Sequence, residues 1–99
     1  SDRKLKKNVR KIENALEKTL SLTGVEFDFV DRNESSIGFI AQEAEKIIPQ
    51  LVFGGNDENE LKSIAYQNFV ALLVEAIREQ QNQINQLRIE INSLRDIEQ

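Results

Sequence analysis

From Asn56 to Gln99 the chain contains neither glycine nor proline, and from Tyr66 onward its apolar residues keep a seven-residue period. Val70, Ile77, Ile84 and Ile91 recur every seven positions, and Leu73, Gln80, Leu87 and Leu94 recur with the same period, offset by three. These are the a and d positions of about four heptads, with one polar layer at Gln80. The spacing predicts a helix over 66–99. About 32 helical residues make a rod of roughly 48 Å. The other residues, about 65 of them, fold into a body only about 28 Å across. The rod must overhang that body. Ile84 to Leu94 cannot be buried by their own chain unless the helix folds back, and no helix breaker permits that. Each Ile or Leu left in water forfeits roughly 1.5–3 kcal/mol of burial, so the helix is expected to pack against copies of itself. Glu90 at a g position and Arg95 at an e position suit a parallel pairing. Ile at a with Leu at d favours two strands, whereas the Gln layer and an apolar Ile89 off the seam suit a wider bundle. Periodicity alone leaves two and three strands open.

Residues 1–65 show shorter periods. Ile12, Leu16 and Leu20 lie on one helical face within 12–22, with Asn8 as the expected N-cap and Gly24 as the stop. Val25 to Val30 alternates like a half-buried strand, 31–36 is polar and reads as a loop, and Ile37 to Ile40 reads as a second strand. Ala41 to Ile48 is helical in composition and ends at Pro49. Leu51 to Phe53 and Leu61 to Ile64 are the expected strands of a hairpin around an acidic turn. The expected fold is α+β and mainly α: a body of small helices and β-hairpins over 1–65 and a long C-terminal helix over 66–99, together one domain.

Composition narrows the chemistry. Cysteine and histidine are both absent, which excludes disulfides, thiolate nucleophiles and Ser-His or Cys-His catalysis. The three carboxylates of the acidic turn, Asp57, Glu58 and Glu60, fit no EF-hand spacing. No metal and no cofactor are expected. No run of 18 apolar residues is present, so no membrane partner is expected. Six basic residues in 1–11 stand against Asp2, a net +5, so the remainder carries −9 to reach the total of −4. A basic arm on an acidic body that repels phosphate, with no aromatic in the arm, points away from nucleic acid. Tyr66, Ser35 and Ser36 read as core or turn residues, and Glu43 as a first-turn glutamate favoured by the helix dipole.

Several segments together carry a resemblance: Ser1-Asp2-Arg3-Lys4-Leu5-Lys6-Lys7-Asn8, Gly24-Val25-Glu26-Phe27, Gly38-Phe39-Ile40-Ala41-Gln42-Glu43, Leu61-Lys62-Ser63-Ile64-Ala65-Tyr66 and the heptad helix. In this order and spacing the chain resembles the C-terminal intramolecular chaperone domain of phage tail spikes, tail fibres and neck appendages. Endosialidase tail spikes and the myelin regulatory factor carry the same domain. The resemblance covers nearly the whole sequence. It implies a parallel homotrimer whose coiled-coil interface is Val70, Leu73, Ile77, Gln80, Ile84, Leu87, Ile91 and Leu94. It also implies a folding client, the β-structured fibre or spike upstream in the same precursor, folded in the host cytoplasm during phage assembly. The domain is then released from the mature virion protein by autoproteolysis on the N-terminal side of the serine. The serine and a lysine five residues later form the implied catalytic dyad, here Ser1 and Lys6. Ser1, where this sequence starts, is where a released product would start.

That dyad has a physical logic. A serine hydroxyl needs a base, and without histidine a lysine serves if it is neutral, a form that desolvation and like charge both favour. Arg3, Lys4 and Lys7 supply like charge around Lys6, and assembly would add burial. The sequence departs from the family at Ala65, where a capping polar residue is common and Ser63 is the expected substitute, at Val9 and at Ala71, where a proline is frequent. The competing readings are a plain homo-oligomerisation module without chemistry and a nucleic-acid-binding domain using the basic arm.

Overall fold

The computed structural model describes residues 1–98; Gln99, the last residue of the expected helix, lies outside the described residues. A 3₁₀ turn (Arg3–Leu5) and an irregular arm lead to α1 (Ala15–Ser21). Two short strands follow, β1 (Val25–Asp28) and β2 (Ser35–Gly38), then α2 (Ala41–Ile47) and a 3₁₀ turn at Pro49–Leu51. Strands β3 (Val52–Gly54) and β4 (Lys62–Ile64) precede a 3₁₀ turn at Tyr66–Asn68, which runs into α3 (Phe69–Glu98). The fold is α+β and mainly helical, with one long C-terminal helix, as the sequence predicts.

The strands form two separate antiparallel hairpins. In the first, Val25 pairs with Gly38 and Asp28 with Ser35; in the second, Val52 pairs with Ile64 and Gly54 with Lys62. Gly54 (φ 80°) and Gly55 (φ 71°) turn the second hairpin through the left-handed region, where a side chain would be strained. The turn that follows uses its own acids. Asn59 N–H donates to Asp57 Oδ1 at 2.8 Å and Asn56 N–H to Glu60 Oε2 at 3.3 Å. Lys62 Nζ meets Glu45 Oε2 at 3.1 Å and ties this hairpin to α2.

The core is small: Ala15, Ile48, Leu51, Phe69, Leu72 and Ala76 are buried together, with Ile12, Leu16 and Phe39 packed at its edge. α1 lies against the first turns of α3, where Ala15 and Ala76 allow close approach and Leu72, 1% exposed, fills the contact. Beyond these turns α3 leaves the body. Its 30 residues span about 45 Å, the molecule measures 67 × 41 × 21 Å, and its radius of gyration is 19.4 Å, against about 13 Å for a compact chain of this length.

Three local expectations are corrected. Asn8 does not cap a helix: it takes a left-handed conformation (φ 54°) in the arm, and α1 starts only at Ala15, after Asn14, which is left-handed as well and makes no side-chain cap. Ser35 and Ser36 are strand residues paired with Asp28 and Phe27 rather than loop or turn residues. Ser35 Oγ also donates to Asp28 Oδ1 at 2.5 Å, which holds the register. Ser63 lies inside β4 and does not cap α3; the helix is entered instead through the 3₁₀ turn, with Asn68 N–H bonded to Ala65 O at 3.0 Å.

Candidate functional site

The arm that carries Ser1 and Lys6 is built around one 3₁₀ turn. Asp2 caps it, its Oδ1 accepting from Lys4 N–H at 2.8 Å. Leu5 N–H donates to Asp2 O at 3.1 Å and Lys6 N–H to Arg3 O at 3.0 Å. The acid beside the serine thus shapes the backbone between Ser1 and Lys6. The chain then reverses at the left-handed Asn8, whose carbonyl accepts from Arg10 Nη1 at 3.0 Å. Ser1 and Lys6 are both exposed, and no hydrogen bond joins their side chains among the described residues. Leu5 (84% exposed) and Val9 (67%) project apolar groups from the same arm into solvent. Within a single chain Ser1 and Lys6 flank this turn, both open to solvent.

The second candidate feature is the long helix, which has two apolar faces. Phe69, Leu72 and Ala76 face α1 and the core. Val70, Leu73 and Ile77 open to solvent, and from Gln80 to Ile97 every residue is exposed. The heptad residues Val70, Leu73, Ile77, Gln80, Ile84, Leu87, Ile91 and Leu94 therefore lie uncovered along α3, apart from the face that packs on the body.

Between arm and helix stands a contact that local sequence reading misses. Glu79, partly buried and followed by exposed residues from Gln80 to Ile97, reaches the start of α1. Ala15 N–H donates to its Oε1 at 2.9 Å and Leu16 N–H to its Oε2 at 3.1 Å. One carboxylate thus satisfies two orphan donors of a helix that has no cap of its own, and its charge suits the helix N-terminus. The only signal in the sequence was a glutamate on the face opposite the seam, among apolar neighbours at Leu72 and Ala76.

The Gly-Phe-Ile-Ala-Gln-Glu stretch also acquires a role. A Cβ on Gly38 would lie 2.5 Å from the Tyr66 hydroxyl oxygen. That hydroxyl accepts from Phe39 N–H at 3.0 Å, and the rings of Phe39, Tyr66 and Phe69 cluster, with Phe39 stacked on Tyr66 at 5.9 Å and tilted against Phe69 at 5.2 Å between centroids. Tyr66 is half exposed and fastens the first hairpin to the base of α3. Glu43 lies exposed in the first turn of α2.

Comparisons with known proteins bear on these features. A peptidase family model described as the chaperone of endosialidase matches residues 1–53. The long tail fiber protein Gp37 of Salmonella phage S16 is 32% identical over 98% of this chain. The proteins of that name from Enterobacteria phages K3 and T2 are each 35% identical over 79% of it. The chain spans only 14%, 7% and 6% of the length of these three relatives.

Proposed function

The chain belongs to the family of endosialidase chaperones, and we propose that it serves a phage long tail fibre: it trimerises through the seam of α3, assists folding of the β-structured fibre upstream of it, and is released by cleavage before Ser1. The observation that carries the reading is the uncovered seam. Seven apolar side chains line a helix that projects beyond its own body, and packing them together in a parallel bundle removes them from water. A bundle of three also brings three client chains to a common axis, in register, before they fold. Assembly and folding take place in the host cytoplasm, and release leaves the chaperone off the finished virion.

In the proposed cleavage the Ser1 oxygen bonds to the carbonyl carbon of the preceding residue while Lys6 takes the hydroxyl proton. The C–N bond breaks as that proton passes to the leaving amine, and water then hydrolyses the ester and restores the serine. The exposed Lys6 of the single chain must become desolvated for this, and the projecting Leu5 and Val9 are the groups a neighbouring subunit would cover. The test is a precursor extended upstream of Ser1, followed by sedimentation and mass spectrometry. A trimer cut before Ser1 is expected. Ser1→Ala and Lys6→Arg should both give uncut trimers, since arginine keeps the charge but stays protonated. Cleavage of the Lys6→Arg precursor at the normal rate would remove Lys6 from the mechanism, and an uncut wild-type trimer would leave a plain oligomerisation module.

A further inference from the structure

We infer that Glu79 is a positioning residue that transmits assembly of α3 to the arm carrying Ser1 and Lys6; this rests on the cleavage reading above. Three features of the structure meet at this residue. Its two carboxylate oxygens hold Ala15 and Leu16 N–H, more than sixty positions away in sequence, and these are the residues at which the arm becomes helix. Asn14 supplies no side-chain cap, so the carboxylate is what closes the helix start. Finally, Glu79 stands at the point where α3 leaves the body: Leu72 and Ala76 before it are buried, and every residue from Gln80 to Ile97 is exposed.

That position makes the grip conditional. In an isolated chain the turn after Glu79 is Gln80-Gln81-Asn82-Gln83, with no tertiary packing to hold it, and in proteins most helical stability comes from such packing. Fraying back through this turn releases the backbone that aims the carboxylate. When copies pack through Ile77, Gln80 and Ile84, the same turn is clamped from the seam side, while Glu79, two positions from Ile77 and on another face, stays free to hold α1. Ile12, packed at the core edge just before α1, then carries the order into the arm. Assembly thus fixes the backbone leading to Lys6 without Glu79 touching the reacting atoms.

Two measurements test this. In the extended precursor, Glu79→Gln keeps the size of the side chain but leaves only one oxygen to accept. It should remain trimeric in sedimentation, and cleavage before Ser1 should slow about fivefold to tenfold, the equilibrium factor of one weakened helix cap. Glu79→Asp, which restores both oxygens on a shorter stem, should recover part of the rate. A trimeric Glu79→Gln precursor cut at the wild-type rate overturns the inference while leaving the dyad intact. Loss of wild-type cleavage would instead refute the parent reading. The second measurement needs no cleavage: amide hydrogen exchange at Ala15 and Leu16 in this chain, with Leu72 as the core reference. In a variant unable to assemble (Ile84→Asp with Ile91→Asp), both amides should exchange several-fold faster relative to Leu72 than in the trimer. Equal relative protection in the two states would show that Glu79 is a fixed cap that carries no message, and would overturn the proposal. If Leu72 itself loses protection, the precursor comparison decides alone.

Discussion

Gly38 and Tyr66 show how much a single missing Cβ controls here. Gly38 has an ordinary backbone conformation for any residue, so an alanine there meets no φ penalty; the obstacle is the Tyr66 hydroxyl at 2.5 Å and the ring carbon behind it at 3.3 Å. Gly38→Ala is expected to destabilise the chain by about 1–3 kcal/mol, as overpacked sites do. Tyr66→Phe removes the clashing oxygen and one exposed hydrogen bond from Phe39 N–H, at about 0.5–1.5 kcal/mol. In the double variant the alanine should cost much less than it does alone, because its obstacle is gone. Chemical denaturation of the four proteins in the cycle measures the coupling. Additive losses would mean that the tyrosine moves aside freely and does not fix the hairpin. The Ser1 and Lys6 pair belongs to the same scale but differs in kind: both residues are exposed within one chain, and the proposed chemistry calls for a neighbouring subunit to cover Leu5 and Val9.

At the scale of elements, α3 is two helices in one, a core helix over its first turns and a solvent-exposed heptad helix beyond them. Leu72 is the large side chain buried almost completely at the contact with α1. Leu72→Ala should therefore cost about 2–5 kcal/mol, a loss independent of protein concentration in thermal unfolding. A concentration-dependent loss would place Leu72 in the seam instead. The period of seven was fully legible because it is a local, repeated pattern; so were α2 with its proline stop and the second hairpin, whose strands and turn glycines, Gly54 and Gly55, are neighbours in sequence. The start of α1 was not legible. Local sequence offers Asn8 as the cap, whereas the acceptor comes from Glu79 on another helix. Likewise Ser35 and Ser36 read as loop because strand propensity is weak for serine, and the cross-strand bond to Asp28 that holds them there is a property of the register.

For the whole molecule the deciding quantity is the mismatch between the body and the rod. A radius of gyration of 19.4 Å for 99 residues means that much of the apolar surface of α3 has no partner within the chain, and the a/d seam is where it gathers. Replacing Ile84 and Ile91 together with Asp puts two carboxylates per chain into that seam. In a trimer each would face its own copies a few ångströms away, desolvated and without a cation, which costs several kcal/mol per charge. Neither position touches α1 or the core, so the body should stay folded while assembly is lost. The variant is expected to sediment as a single 11.4 kDa chain, with reduced helicity in circular dichroism as the far half of α3 frays without a partner. The unaltered chain should sediment as three copies at micromolar concentration. A dimer would return the argument to the preference of Ile at a and Leu at d for two strands, and a stable monomer would remove the seam from the proposed function. In the extended precursor the same double substitution should also stop cleavage, since the proposed mechanism buries the arm and fixes its backbone only on assembly. A monomeric variant that still cuts itself before Ser1 would separate the two activities, leaving the trimer for the fibre and the chemistry to the single chain.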